Sequence, residues 1–312
     1  MDTNIQNCGP VIKIIGVGGC GSLTVDRLTD KGLRHAQLIS VDTDANDLRI
    51  SRAGLKIQIG ESVMRGTVAG SDPALGQKAA ESSKTEISDA IGAADIVFVI
   101  AGMGGGTGTG AAPIVASAAK EKGKFVVGVG IAPFKFEGDA RMRNAETGLT
   151  NLLKSVDILV PVPNEKLFKS VPNMPVADAF GLIDEIIVRT VKGICDLINP
   201  SSLIGFDYID LVNVLRNKGC AHVGVGHGKG IRCVTEAVNG AAYSSMLDSS
   251  IEGAKSVLIK VVAGPSASIS EIQDAVTLVR EIVSPSANIV FGADIDRSLK
   301  DEMVITIIAA DF

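Results

Sequence analysis

The apolar run IVFVIAG (Ile96–Gly102) leads straight into the glycine-rich stretch GMGGGTGTG (Gly102–Gly110), which is followed by the segment AAPIVASAAKE (Ala111–Glu121). The first run predicts a buried strand, and the last segment predicts a helix. The glycines between them allow backbone N–H groups to approach a bound anion closely, and two threonine hydroxyls add further donors. We therefore interpret this stretch as a strand, an anion-binding loop and a helix.

Strands and helices also alternate on both sides of this stretch. The predicted strands are Val11–Gly18, Ala36–Asp42, Phe125–Ile131 and Asp157–Pro163, and the predicted helices are Leu23–Leu33 and Ala79–Ile91. This alternation predicts a parallel sheet that is wrapped by helices and joined by right-handed crossovers. The Val-Pro-Val-Pro ending at residues 160–163 is expected to stop the sheet, because proline lacks a backbone N–H.

The rest of the chain predicts a long helix and a smaller layer. Apolar residues recur every three to four positions over Val176–Ile198, which predicts one helix that lies largely in the core. Beyond it we predict strands at Val257–Gly264, Ala287–Ile295 and Met303–Asp311 and a helix at Ser270–Val283. The expected fold is α/β, with a Rossmann-like parallel-sheet domain (residues 1–175), a central helix (176–200) and a smaller α+β domain (201–312).

The composition limits the classes of function. Thirty Lys and Arg against thirty-five Asp and Glu give a net charge of -5, so the basic excess that nucleic-acid binding requires is missing. The five cysteines form no CxxC pair, which predicts a reducing cytoplasm and neither a disulfide framework nor a zinc site. The N-terminus shows no export signal. The uncharged segment Ile96–Ala119 contains six glycines and one proline, so we expect no membrane insertion.

A second glycine motif, GVGGCG (Gly16–Gly21), follows the first predicted strand. It fits GxGxxG, and Asp42 at the end of the next strand completes a dinucleotide-binding fingerprint. Taken alone, this motif predicts an NAD-dependent oxidoreductase. One dinucleotide pyrophosphate needs only one such loop, whereas two loops at the carboxyl ends of strands in one sheet indicate a triphosphate held from two sides. The lysine-bearing P-loop GxxxxGK[ST] does not occur in the sequence.

Six motifs follow one another along the chain, in the order GVGGCGS, VDTDA, AGMGGGTGTGAAP, PFKFEGDARM, DAF and FDYID. They resemble those of the bacterial FtsZ branch of the tubulin superfamily, and the resemblance runs from about Val11 to Phe312. The resemblance implies a domain that binds GTP or GDP, a central helix and a second domain. It also implies head-to-tail homopolymers that hydrolyse GTP at each subunit junction in cell division, with other division proteins as further partners and a place at midcell in the cytoplasm. Mg2+ would arrive with the nucleotide and be held mainly by its phosphates and by water, with no metal ligands from the protein.

The same resemblance implies which residues contact the nucleotide. Two groups would line the phosphates, namely Gly19, Cys20, Gly21, Ser22 and Leu23 on one side and Gly104, Gly105, Gly106, Thr107, Gly108, Thr109 and Gly110 on the other. Glu137 and Arg141 would meet the ribose and its surroundings. Their i, i+4 spacing is equally typical of an exposed ion pair at the start of a helix.

Two residues of the central helix are expected to hold the base. The resemblance implies that Phe180 stacks on it, although the periodicity of the helix fits a core position as well. Asp184 stands where the family usually has an Asn that reads the base edge. A carboxylate can accept from two adjacent donors, and guanine presents such donors whereas adenine does not. The alternative is an exposed Asp on an amphipathic helix.

Asp207 and Asp210 are spaced i, i+3 at a predicted helix start, so that both side chains lie on one face. From the residues alone, an N-cap and a favourable charge in the first turn explain them best. In the family, the matching acids are catalytic: they enter the nucleotide pocket of the next subunit and polarise the attacking water.

The chain also departs from the family pattern. Leu23, Asp42 and Gly205 each stand where the family frequently has Asn, and the family's disordered linker and terminal peptide do not follow Phe312. We therefore expect either a truncated chain or a divergent, accessory member. The losses at Leu23 and Gly205 keep open a filament protein that hydrolyses GTP weakly or not at all.

Overall fold

The computed structural model describes residues 9–31, 33, 36–64, 66–166, 175–197, 203–205, 207–243 and 249–312, excluding the side chains of 176–180 and 184. The first part of the chain forms β1 (Ile12–Val17), α1 (Gly18–Asp30), β2 (Ala36–Asp42), α2 (Ala45–Ile50), β3 (Leu55–Gln58), α3 (Glu61–Met64), α4 (Pro73–Ser82), α5 (Lys84–Ile91), β4 (Ile96–Gly102), α6 (Thr107–Glu121), β5 (Phe125–Ala132), α7 (Asp139–Ser155) and β6 (Ile158–Pro163). The second part forms α8 (Val176–Leu197), α9 (Tyr208–Leu215), β7 (Gly219–Lys229), α10 (Cys233–Ala242), β8 (Ser256–Ala263), α11 (Ile269–Ile282), β9 (Asn288–Ile295) and β10 (Glu302–Ala310).

The described strands form one sheet in the order β3-β2-β1-β4-β5-β6-β7-β10-β8-β9. Strands β1 to β6 pair in parallel, and β10 runs antiparallel to both β7 and β8. The predicted fold class is confirmed, with a parallel α/β layer followed by a long helix and a smaller mixed layer.

The expectation that the sheet stops at the prolines of β6 is wrong. All six residues of β6, including Pro161 and Pro163, pair with β5. On the other side, β7 pairs with β6 only at Ile158 and Leu159. Pro161 has no N–H to offer to a further neighbour, so pairing with β7 ends just before it. The prolines therefore do not end the sheet, but the pairing between its two halves is limited to two residues of β6.

The parallel half of the sheet is buried on both faces, as its continuous apolar strands predict. In β4, Phe98 belongs to a core cluster that includes Ile187 and Val191 of α8. Its neighbour Val99 faces the opposite side and packs in a second cluster with Val115 of α6. The long helix therefore covers one face of the sheet, in agreement with the predicted core role of Val176–Ile198, of which Ile198 lies outside the described residues.

Strand β7 was not predicted, because its sequence GCAHVGVGHGK is rich in glycine. The alternate residues Gly224, Gly226 and Gly228 lie under helix α10. A Cβ atom added at Gly226 would come 1.9 Å from the carbonyl oxygen of Ala237, so this contact excludes any side chain. Lys229 ends this strand, and its Nζ atom donates to Glu302 at 2.8 Å.

The uncharged segment 96–119 is divided between β4 and α6. No described helix is both long enough and apolar enough to cross a membrane.

Candidate functional site

A cavity of about 550 Å³ lies at the carboxyl ends of β1, β2, β4 and β5. Ligands of open α/β sheets characteristically bind at this edge. Its described lining comprises Val17, Gly18, Gly19, Cys20, Asp42, Asp47, Val68, Ala69, Gly70, Gly102, Met103, Gly105, Gly106, Thr107, Gly108, Ile131, Ala132, Pro133, Glu137, Arg141 and Asn164. Both glycine motifs thus contribute to one cavity.

The first motif is not a loop throughout, since α1 begins at Gly18. The N-cap residue, Val17, makes no side-chain capping bond, so the first N–H groups of the helix can bind an anion. Gly19 and Cys20 line the cavity, whereas three other predicted contacts do not. Gly21 and Ser22 are buried, and Leu23 is 54% exposed, away from the cavity.

The second motif is divided in the same way, because α6 begins at Thr107 and its N-cap residue, Gly106, has no side chain to cap it. Four of the predicted contacts line the cavity, namely Gly105, Gly106, Thr107 and Gly108. The other three, Gly104, Thr109 and Gly110, do not. The hydroxyl of Thr109 accepts a hydrogen bond from the Gly104 N–H at 2.8 Å, and a Cβ atom added at Gly110 would lie 2.0 Å from the Pro73 carbonyl oxygen. These residues hold the loop in shape.

The two helix starts meet at the cavity. The hydroxyl of Thr107 is hydrogen-bonded to that of Thr43, which follows β2, with 2.9 Å between the oxygens. Gly18 lies against Gly108, where an added Cβ atom would be 3.0 Å from the Gly108 nitrogen. The positive ends of two helix dipoles therefore face one space, which favours a ligand carrying several negative charges.

Glu137 and Arg141 both line the cavity and also form an ion pair, with 3.2 Å between Arg141 Nε and Glu137 Oε2. The other oxygen of Glu137 accepts from the Phe134 N–H at 2.8 Å. Arg141 is the one basic residue among the described lining residues. The ion pair and the cavity position, which the sequence offers as alternatives, therefore coexist.

Three polar lining residues, Asp42, Asp47 and Asn164, are missing from the predicted site. Asp42 has a sequence signal, but that signal belongs to the dinucleotide fingerprint. Asp47 and Asn164 have none, since a single Asp in α2 and an Asn after β6 fit any solvent-facing turn. The amide oxygen of Asn164 is buried and has no hydrogen-bond partner among the described residues, so it can accept from a ligand.

The Cys20 thiol faces the cavity and can be reached by solvent, yet many protein atoms surround it. This crowding raises the pKa of the thiol to about 11, so it stays protonated and poorly nucleophilic. Among the described residues, no three His, Cys, Asp or Glu side chains come together as a metal site.

Phe180 and Asp184 belong to α8, but their side chains lie outside the described part of the chain. Their predicted contacts with the base stay predictions.

Asp207 and Asp210 cap the start of α9. The Asp207 side chain accepts from the Asp210 N–H at 2.9 Å, and the Asp210 side chain accepts from the Asp207 N–H at 3.0 Å. The next residue, Tyr208, donates from its hydroxyl to the carbonyl oxygen of Asp95 at 3.1 Å. Asp95 immediately precedes β4, whereas the cavity lies where β4 ends. The seven residues of β4 span about 20 Å, so the two acids lie near the opposite edge of the sheet.

Comparison with known proteins agrees with this geometry. The profile described as "Tubulin/FtsZ family, GTPase domain" matches residues 11–172, and the profile "FtsZ family, C-terminal domain" matches residues 219–312. An FtsZ dimer from M. jannaschii is 39% identical over 98% of this chain and 89% of that chain, with a TM-score of 0.89.

Two proteins from Haloferax volcanii share the fold at lower identity. CetZ1, solved as a GDP-bound monomer, is 24% identical over 97% of this chain and 94% of its own, with a TM-score of 0.84. CetZ2, solved as a GTPγS-bound protofilament, is 22% identical over 96% and 92%, with a TM-score of 0.79. With two matched domains and 39% identity to an FtsZ over nearly its whole length, the chain belongs to the tubulin/FtsZ family of GTPases.

Proposed function

We propose that this protein is a self-assembling GTPase of the FtsZ type, which forms head-to-tail filaments, hydrolyses GTP at subunit junctions and acts in cell division at midcell. Membership of the family supports binding and hydrolysis of GTP. Self-association is supported by the FtsZ dimer and by the CetZ2 protofilament to which the chain is similar.

The separation between the cavity and the paired acids carries the proposal of a shared site. Asp207 and Asp210 lie near one edge of the sheet and the cavity lies at the other, about 20 Å away. Side chains at that distance cannot act on a nucleotide bound by their own subunit. In a head-to-tail filament the edge that carries the acids in one subunit meets the edge that carries the cavity in the next, and the acids then reach the neighbour's cavity.

The nucleotide would bind through the residues of the cavity. The N–H groups at the starts of α1 and α6 hold the phosphates, and Mg2+ is held mainly by phosphate oxygens and water. Arg141 and Glu137 face the ribose and its surroundings. In α8, Phe180 stacks on the base and Asp184 accepts from the two adjacent donors of guanine.

The acids would act on the attacking water. Within one subunit, the capping bonds engage Asp207 Oδ1 and Asp210 Oδ2. The second oxygen of each carboxylate takes no part in these bonds, so it can orient and polarise water in the neighbour's site.

A filament protein that hydrolyses GTP weakly is the second candidate. Leu23 is half-exposed, away from the cavity, and contributes no polar group to it, and Gly205 has no side chain to offer beside the acids. An NAD-dependent oxidoreductase is disfavoured, because the first glycine motif lies in a domain of the tubulin/FtsZ type.

The test compares nucleotide binding with turnover in Asp210→Ala and Asp210→Asn. We expect the affinity of the monomer for GTP to stay within about threefold and phosphate release to fall at least about 100-fold in both variants. Asn retains an acceptor for the capping bond, so a structural role alone would be rescued in Asp210→Asn but not in Asp210→Ala.

Glu271→Ala is the matched control, because Ser268 and Glu271 form the same reciprocal cap on α11. It should lower stability as Asp210→Ala does and leave turnover unchanged. A loss of GTP binding in the Asp210 variants would contradict the shared site. Parallel titrations with ATP and NAD test the base preference, and affinity for either equal to that for GTP would contradict it.

A further inference from the structure

The carboxyl group of Asp42 lies in the cavity wall with one oxygen unused. Its Oδ1 atom accepts from the N–H groups of Thr43 and Asp44 at 2.7 and 3.3 Å. Its Oδ2 atom is buried and has no hydrogen-bond partner among the described residues, and the residue is only 3% exposed. A buried, unpaired oxygen of this kind is unfavourable, and nearly all such atoms in native proteins find a partner. The position of Asp42 in the lining points to the cavity ligand as that partner.

The groups around Asp42 disfavour its negative charge. Asp44 on its own loop and Asp47 on α2 repel it, and the neutral Cys20 thiol on α1 gives no compensation. Across the cavity, the charge of Arg141 is already paired with Glu137. Burial, which is the larger cause, together with the two acids raises the pKa of Asp42 to about 6, against the two backbone bonds that lower it.

A bound nucleotide would make the negative charge of Asp42 still less favourable. The starts of α1 and α6 direct phosphate groups into the same cavity, and each phosphate brings at least one negative charge. A nearby charge of the same sign raises the pKa of a carboxyl group further. An ionised Oδ2 atom can only accept, whereas a protonated one can donate to an oxygen of the ligand.

We propose that Asp42 takes up one proton from solvent when a guanine nucleotide binds, so that its Oδ2–H group donates a hydrogen bond to an oxygen of the nucleotide. This inference rests on the proposed function and adds a regulatory property to the same site, since the affinity for nucleotide becomes dependent on pH.

The direction in which the affinity for nucleotide changes with pH follows from the rise in the pKa of Asp42 on binding. Because binding raises the pKa of Asp42, the affinity is fully developed below about pH 6, where the free protein is already protonated. Above that pH the affinity falls, by up to about tenfold per pH unit, until the pKa of the complex is passed.

Isothermal titration calorimetry of the full chain with GDP tests the proposal. Titrations at pH 7 in two buffers of different ionisation enthalpy give the number of protons taken up per GDP. We expect the native protein to take up about half a proton or more beyond Asp42→Asn, because the free carboxyl is about 90% ionised at this pH. The phosphate groups of GDP titrate near pH 6 as well, and an ionised Asp42 would raise their pKa, so the infrared measurement below assigns the extra proton to the carboxyl group.

Asp47→Asn is the matched control, because it removes the same charge from the cavity wall but not the unpaired oxygen. It should retain most of the proton uptake. The titrations are repeated with Mg2+ and with a chelator, and binding that needs Mg2+ but takes up no extra proton relative to Asp42→Asn would overturn the proposal in favour of a cation beside Asp42. Equal uptake by the native protein and Asp42→Asn would overturn it as well.

A measurement on the native protein covers the case in which Asp42→Asn does not fold or does not bind. Infrared difference spectroscopy should show the C=O band of a protonated carboxyl group appearing when GDP is added at pH 7, and a spectrum without this band contradicts the inference. Binding of GDP without proton uptake removes only this inference. A native protein that does not bind GDP at all removes the proposed function together with it.

Discussion

Asp157 illustrates how much of the fold one buried side chain can hold. It is 1% exposed and precedes β6. Its Oδ1 atom accepts from the Lys120 Nζ atom at 2.7 Å and from the Asn217 N–H at 3.2 Å, and its Oδ2 atom accepts from the Val126 N–H at 2.8 Å. One carboxylate thus joins the end of α6, the start of β5 and the turn before β7.

We predict that Asp157→Ala lowers the free energy of unfolding by about 3–5 kcal/mol, because it removes the carboxylate that pairs with Lys120 and leaves the buried Val126 N–H without its acceptor. Urea denaturation followed by circular dichroism measures the loss. Glu121→Gln is the control, since Glu121, next to Lys120 on α6, forms an exposed pair with Lys84 of α5 that should contribute less than about 1 kcal/mol. Similar losses in the two variants would contradict the assigned role of Asp157.

The glycines of the second motif, at the start of α6, meet two different requirements, which are close packing of the loop and access of a ligand to it. Some of its glycines are enforced by packing: an added Cβ atom would lie 2.7 Å from the Ala69 carbonyl oxygen at Gly106 and 2.0 Å from the Pro73 carbonyl oxygen at Gly110. Gly105 is different, because the nearest protein atom would be 4.0 Å away and the residue lines the cavity. The fold tolerates a methyl group there, whereas a ligand held closely by the loop does not.

We therefore predict opposite effects for two alanine substitutions in this loop. Gly105→Ala should change the stability by less than about 1 kcal/mol and lower the affinity for GTP about tenfold or more, because the methyl group occupies space beside the phosphates. Gly110→Ala should destabilise the fold by several kcal/mol through overpacking. Thermal melting and a fluorescent-nucleotide titration separate the two effects. Unchanged affinity in Gly105→Ala would show that the nucleotide does not touch this loop.

At the scale of the whole molecule, a site shared by two subunits makes activity depend on concentration. Specific activity should vanish below the concentration at which filaments form and rise above it, because dilution removes the second half of each site. Light scattering and phosphate release, followed together, measure both quantities. Constant specific activity across the assembly threshold would exclude coupling to the polymer.

Mixing Asp210→Ala with native protein tests the shared site in a second way. Asp210→Ala subunits that join a filament of native protein should lower activity more than simple dilution does, because each one spoils the pocket of a native neighbour. Glu271→Ala, which removes the same kind of helix cap from α11, provides the comparison. A loss proportional to the fraction of Asp210→Ala would contradict the shared site.

The positions of the parallel strands follow from local sequence. The predicted limits Ala36–Asp42 and Ile96–Gly102 agree with the structure to the residue, because strands buried on both faces are continuous apolar runs between polar or glycine boundaries. The two glycine motifs and the cavity edge are also predictable, since parallel strands bring their carboxyl ends together.

The predicted helix starts, Leu23 and Ala111, lie five and four residues after the observed starts, Gly18 and Thr107. Glycine disfavours helix locally, and only tertiary packing, such as the contact of Gly110 with Pro73, offsets this preference. The predicted single helix Ala79–Ile91 is likewise two helices, α4 and α5, which meet at Ser83.

Local sequence alone predicts the fold class, the two glycine motifs and the paired acids, because each depends on residues that are adjacent in the chain. The tertiary structure decided which residues face the cavity: it brings in Asp42, Asp47 and Asn164 from three segments and turns Gly21, Ser22 and Leu23 away. The helix cap formed by the acids follows from the sequence, and the tertiary structure decided only that this cap lies near the far edge of the sheet. These outcomes depend on packing between segments distant in the chain, and local propensity and motif spacing carry no information about that packing.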